Sequence, residues 1–252
     1  MNIWLVVRAV LALTTPVLAF FLYAGAYSSV TRHRAPPVAL STRYVDGLSL
    51  AARADRDFVQ SVMQNGNRLP DILPLAIAQN ARHAFVAEPT SATAARLLAL
   101  GKQGVQNEPA RIALLHDAAR LDKRDGTTNI ILISHYATTG ETKPLLTHLN
   151  RLLSTDRKSS ALFFPLLIQI MDNDQNRSLF TELLKMRPNW FADFWQTAIS
   201  GSKNVSLLPI YREASLKAGL PIRSDLDTAL LSRLIADEKF EAAMQLYGTI
   251  SS

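Results

Sequence analysis

LDKRDGTTNIILISHYATTGETKPLLTHLNRLLSTDR, residues Leu121–Arg157, reads as a polar break, an apolar helix, a turn and a second apolar helix. The break runs from Leu121 to Thr128, the first helix is predicted over Asn129–Thr139, Gly140-Glu141 turns the chain, and the second helix is predicted over Pro144–Leu153. A single helix pair of this size cannot bury its apolar face alone, so the pair has to stack on neighbours of its own kind.

Polar breaks recur around it at Glu88-Pro89, Asp122-Lys123, Asp156-Arg157, Arg187-Pro188 and Leu220-Pro221. Pro89, Lys123, Asp156, Pro188 and Pro221 are evenly spaced, at a step of about 33 residues that falls within the range of helical repeats. Pro74, Pro144 and Pro209 stand about two such steps apart and fall near the starts of second helices, where proline's missing N–H costs nothing. Upstream, helical spacing predicts Val45–Gln64, Asp71–Ala87, Ser91–Lys102 and Glu108–Leu121, and downstream a last helix over Glu238–Ile250. No strand-like alternation is long enough to name.

Tyr136, followed four residues later by Gly140-Glu141, and Phe240-Glu241-Ala242-Ala243, followed by Tyr247, add a motif to the period. On these residues the chain resembles the tetratricopeptide-repeat family, whose unit is a helix–turn–helix of about 34 residues. The resemblance covers residues 71–252 as a period and two units as a motif, with departures at Asn129, Leu132-Ile133 and Leu145. It implies an all-α domain over 45–252, a right-handed superhelix of stacked antiparallel helix pairs, and a concave groove that holds another protein or peptide.

Between Arg8 and Arg32 lies a charge-free run from Ala9 to Thr31. As a helix it would extend roughly 34 Å, enough for a hydrocarbon layer of about 30 Å. Residues 1–31 are thus expected to be one transmembrane helix or signal segment, with membrane contact through 9–31. Residues 32–44, with Pro36-Pro37, form a stiff spacer. Ala24-Gly25-Ala26 offers a signal-type cleavage pattern, against which the length of the run favours an uncleaved anchor. The order of Arg8, apolar core and small residues points to an exported body, and Arg32 and Arg34 point to a cytoplasm-facing one; export is the reading taken.

The formal charge of +6 includes Arg8, Arg32 and Arg34, three of the 27 basic residues, and the others nearly balance the 21 acidic ones. Interleaved signs argue against the clustered basic face of a nucleic-acid binder. With no cysteine, thiolate catalysis, disulfides and zinc–thiolate sites are excluded. His33, His83, His116, His135 and His148 form no close ligand pair, so no metal is expected, and no phosphate-cradling loop or G-x-S-x-G element indicates a cofactor or a serine hydrolase. Asp172, Asp174 and Glu182 read as solvated turn acids.

Asn189–Trp195 is the densest aromatic stretch. On a helix Trp190 stacks above Phe194 and Phe191 above Trp195, and Phe163-Phe164 lies close to one repeat before Phe194-Trp195. Core between repeats is the first reading of these rings; the second is an aromatic floor in a groove. Tyr136, Trp190 and Trp195 are accordingly the candidate partner-binding residues. The expected function is that of a non-enzymatic, membrane-anchored helical scaffold for protein–protein interaction at a bacterial-type cell envelope. The alternative is an enzyme or enzyme subunit acting on envelope glycan, which would need a deep pocket bringing a carboxylate to Trp190 or Trp195.

Overall fold

The computed structural model describes residues 46–66, 70, 73–101 and 107–251. All regular structure among them is helical. The expected membrane segment and spacer, residues 1–31 and 32–44, lie outside the described residues, and among the described residues no helix is long and apolar enough to cross a membrane. The chain divides into two compact units at Asp122/Lys123.

In the first unit, α1 (Gly47–Gln64), α2 (Leu75–Ala87), α3 (Ala92–Leu100) and α4 (Glu108–Leu121) each pack on the next, and α1 also reaches α3. Three of the four helices start on a side-chain acceptor: Asp46 takes the Ser49 N–H at 2.5 Å, Ser91 that of Ala94 at 3.3 Å, and Asn107 that of Ala110 at 2.8 Å. Each satisfies a backbone donor that the helix leaves unpaired. Helix α2 begins at Leu75, later than the expected Asp71, because Pro74 holds an extended ψ of 137° and the residue before a proline avoids the helical region. Gly47 permits the close approach of α1 to α2: a Cβ there would lie 2.5 Å from Glu88 Cβ and 2.7 Å from the Ala84 carbonyl oxygen. Ala54, Phe58, Ile77, Ala81 and Leu97 form the core.

The second unit contains α5 (Gly126–Thr139), α6 (Thr142–Thr155), α7 (Ser160–Met171), α8 (Arg177–Lys185), α9 (Phe191–Gly201), α10 (Leu208–Lys217), α11 (Ser224–Ala236) and α12 (Phe240–Ile250), with short 3-10 turns before α7, α8 and α10. The first helices of successive pairs begin at Gly126, Ser160, Phe191 and Ser224, a step of about 33 residues on average, as in stacked helical repeats. Every polar break read in the sequence from Lys123 onward stands just ahead of one of them. Helices two apart also pack together: α6 on α8, α8 on α10 and α10 on α12, and likewise α7 on α9 and α9 on α11.

The same inward positions recur along the first helices. Thr128, Phe163, Phe194 and Leu226 are buried in register, as are Asn129, Phe164, Trp195 and Asp227, and then Leu132, Leu167, Ala198 and Leu230. These positions fall at i, i+1 and i+4 and give each helix one inward stripe, apolar in α7 and α9 and including the polar Thr128, Asn129 and Asp227 in α5 and α11. Two starts in this unit share with Asp46-x-x-Ser49 of α1 the capping pattern Asp-x-x-Thr/Ser. Asp125 accepts from the Thr127 and Thr128 N–H groups and from Thr128 Oγ1 at 2.6 Å; Asp156 accepts from the Lys158 N–H and from Ser159 Oγ at 2.6 Å. Those hydrogen bonds, that of Ser159 first, lower the Asp156 carboxyl pKa.

Candidate functional site

Phe164, Phe180, Trp190, Phe191, Phe194, Trp195 and Tyr211 form one aromatic core centred on Phe194, whose ring lies 5.4 Å from Phe164, 5.7 Å from Trp190, 5.9 Å from Phe180 and 6.2 Å from Phe191. Separations of this size with tilted or edge-on rings are those aromatic pairs favour. The helix begins at Phe191 with Trp190 capping it. Even so, Trp190 meets Phe194, and Phe191 meets Trp195 at 5.5 Å, as the four-residue spacing requires.

Trp190 and Trp195 are 1% and 0% exposed and Tyr136 is 6% exposed. None of the three offers a ring face to a groove. The Trp190 Nε1–H donates to Asn150 Oδ1 on α6 at 3.0 Å, whereas the buried Trp195 Nε1–H meets no acceptor among the described residues. Tyr136 stacks on His148, centroids 6.0 Å apart. His148 is itself buried, with Nδ1 2.9 Å from Asn129 Oδ1. Since the Asn129 amide donates through Nδ2 to the Lys123 and Asp125 carbonyls, its oxygen faces the histidine, which fixes the proton on Nδ1. Burial, and then the charge of Glu141, raise the Tyr136 pKa.

Of the three acids read as solvated, Asp174 and Glu182 are exposed and pair with Arg177 and Lys185. Asp172 is different. One of its oxygens accepts from Ser202 Oγ at 2.5 Å, the other from the Lys203 N–H at 2.7 Å, and its carbonyl accepts from Asn204 Nδ2 at 3.4 Å. It thereby ties the end of α7 to the loop after α9. The expectation of solvation fails for Asp172 because its partners come from the next repeat, beyond any local pattern. The same loop is held from α11, where Arg233 donates to the Ile199 carbonyl and, at 2.6 Å, to that of Ser202. Further along, Tyr211 donates its hydroxyl to the Met171 carbonyl at 2.9 Å, and burial pushes its pKa up to about 12.

Held between these clamps is an open groove of about 720 Å³ along α7 and α9. Pro165, Ile168 and Gly201 give it an apolar strip; Gln169, Thr197, Lys203 and Asn204 line it with amide, hydroxyl and ammonium groups. A side chain at Gly201 would narrow it, since a Cβ there would stand 3.0 Å from Ile168 Cδ1. At 12 residues α7 is about 18 Å long, the span of about five residues of extended peptide. Amide and hydroxyl donors and acceptors beside an apolar strip suit a peptide main chain, with the Lys203 ammonium as the one cation in the lining. Asp172, the acid in the lining, has both carboxylate oxygens engaged by its structural partners. A second groove of about 510 Å³ runs along α8 and α10. Among the described residues no group of three or more histidines or acids stands close enough to hold a metal ion. The sequence does not single out Gln169, Thr197, Lys203 or Asn204; the one signal for Gln169 and Thr197 is their place on helices whose opposite face carries the aromatic pairs.

No protein-family model matches the chain, and neither a curated protein nor a solved structure is similar to it.

Proposed function

We propose that the chain is a binding scaffold: a tetratricopeptide-like solenoid in which stacked helix pairs present the α7–α9 groove to an extended segment of another protein. The observation that carries this reading is the recurrence of one packing pattern, with first helices at Gly126, Ser160, Phe191 and Ser224 and the same buried register in each. Such stacks gain stability from neighbouring repeats and leave long surfaces for partners. A right-handed superhelical path is part of the proposal and follows from the family resemblance. So is a membrane anchor in residues 9–31 with an exported body, which rests on the sequence alone. The glycan-enzyme alternative is not favoured, because Trp190 and Trp195 are buried and offer a sugar ring no face to stack on.

Affinity capture from membranes, with the full chain as bait, tests the reading. The Gln169→Arg and Thr197→Arg variants should fold as the parent does, since both residues are exposed, and should lose the partner that the parent retains. A partner captured equally by parent and variants would remove the groove from the account.

A further inference from the structure

Arg187 stands at φ 52°, in the left-handed region that a side chain rarely adopts. It ends α8, its N–H donating to the Leu184 carbonyl at 3.0 Å. The corresponding residue after α10, one repeat later, is Gly219 at φ 68°. Glycine takes this conformation without cost and is the common choice where a helix ends this way. An arginine there carries strain that has to be offset elsewhere, and strain of this kind collects at functional positions.

The rest of the surroundings indicate what the arginine does. Its guanidinium lies over Gly219, 3.3 Å from where a Cβ would stand, and Arg187 is part of the α8–α10 groove lining. Ile210, Ala214 and Ala218 give that groove an apolar floor. Lys185, Arg187 and Lys217 line it against one carboxylate, Glu213. Lys217 pairs with Glu213 at 2.6 Å and Lys185 with Glu182 at 2.5 Å, both between exposed side chains one turn apart, which are weak, exchangeable contacts. Arg187 forms no ion pair with any described residue. The site therefore combines an apolar strip, a basic rim and one guanidinium without an ion-pair partner among the described residues.

We propose that the α8–α10 groove binds an acidic amphipathic helix of another protein, its apolar side on Ile210 and Ala214 and its carboxylates on Arg187, Lys185 and Lys217. The charges are complementary, and a guanidinium offers paired donors that match a carboxylate. The 9 and 10 residues of α8 and α10 accommodate about three turns of a partner helix. This site is separate from the α7–α9 groove and goes beyond the function proposed above.

The test titrates the full chain with a fluorescent helical peptide carrying Leu on one face and Glu on the other, with its Glu→Lys counterpart, and with vesicles containing phosphatidylglycerol. The acidic peptide should bind, weaken with added salt, and bind at least about tenfold more tightly than its lysine counterpart. Arg187→Gly and Lys217→Glu should each weaken it by about tenfold or more. Arg187→Gly should also leave the melting temperature unchanged or raised, because glycine relieves the strained φ. A lowered melting temperature with unchanged peptide binding would make Arg187 a structural cap and overturn the proposal. Equal binding of both peptides, or no binding of the acidic one, would overturn it too, and vesicle binding that Arg187→Gly and Lys217→Glu weaken would assign the basic rim to a membrane surface instead. None of these outcomes depends on Gln169 or Thr197, so the two grooves succeed or fail independently.

Discussion

Trp190 and Trp195 are buried to the same degree in the same aromatic core, yet their indole N–H groups stand in opposite circumstances, so one substitution should give two different costs. Trp→Ala at either position removes a large buried ring and leaves a cavity, which costs about 3–5 kcal/mol. Trp→Phe separates them. At 190 it removes part of the ring and the 3.0 Å bond to Asn150 Oδ1, a net loss of about 1 kcal/mol for the bond alone. At 195 it removes a buried donor that has no acceptor among the described residues, and such a donor carries a desolvation penalty of about 1–3 kcal/mol. That relief offsets most of the lost packing. We therefore expect Trp195→Phe to be the milder variant by about 1 kcal/mol or more. Equilibrium urea unfolding of the full chain, followed by helical circular dichroism, measures both. If Trp195→Phe proves as costly as Trp190→Phe, or if both Ala variants cost less than about 1 kcal/mol, the rings do not form the core described.

Three further outcomes follow from named contacts. Asp227 and Arg212 form a buried two-pronged pair at 2.6 and 2.8 Å; Asp227→Ala should cost about 3–5 kcal/mol by stranding the arginine, while the double replacement by leucines should return to within about 1 kcal/mol of the parent, as a double-mutant cycle would show. Burial holds the Tyr211 pKa at about 12 against an ordinary 10.0. Between those values the unfolded chain loses its proton first, so this residue's contribution is intact below pH 10 and is lost as pH rises towards 12; Tyr211→Phe should flatten that alkaline limb in pH-dependent unfolding, at a cost of about 1 kcal/mol near neutrality from the lost hydroxyl bond. Gly47→Ala should destabilise the first unit by about 1–3 kcal/mol through its clash with Glu88 and Ala84, visible as a shift of the urea midpoint.

The period of the second unit was legible because each new helix needs a polar start, and such starts are local. Asp125 and Asp156 can be read as caps from the hydroxyl residues three positions on, and the breaks at Lys123, Asp156, Pro188 and Pro221 precede α5, α7, α9 and α11. The aromatic pairing in α9 was legible from four-residue spacing alone. What spacing could not convey is contact between helices. The Arg212–Asp227 pair, the bonds of Asp172 to Ser202 and Lys203, and the burial of His148 against Asn129 join residues that no local pattern links. Arg187 reads only as part of a break, since the sequence carries no sign that a non-glycine residue would take a left-handed φ. The grooves escaped for the same reason: they are formed by exposed residues, which periodicity treats as the ordinary solvated side of a helix.

The most direct test of the binding account is site-specific photocrosslinking in cells, with the reactive residue placed at Gln169 in the α7–α9 groove and, as a control, at the exposed Ala192 outside the groove lining. The account predicts a discrete protein adduct at Gln169, absent at Ala192 and suppressed by Thr197→Arg in the same chain. Adducts of equal yield at both positions, or none at Gln169, would contradict it.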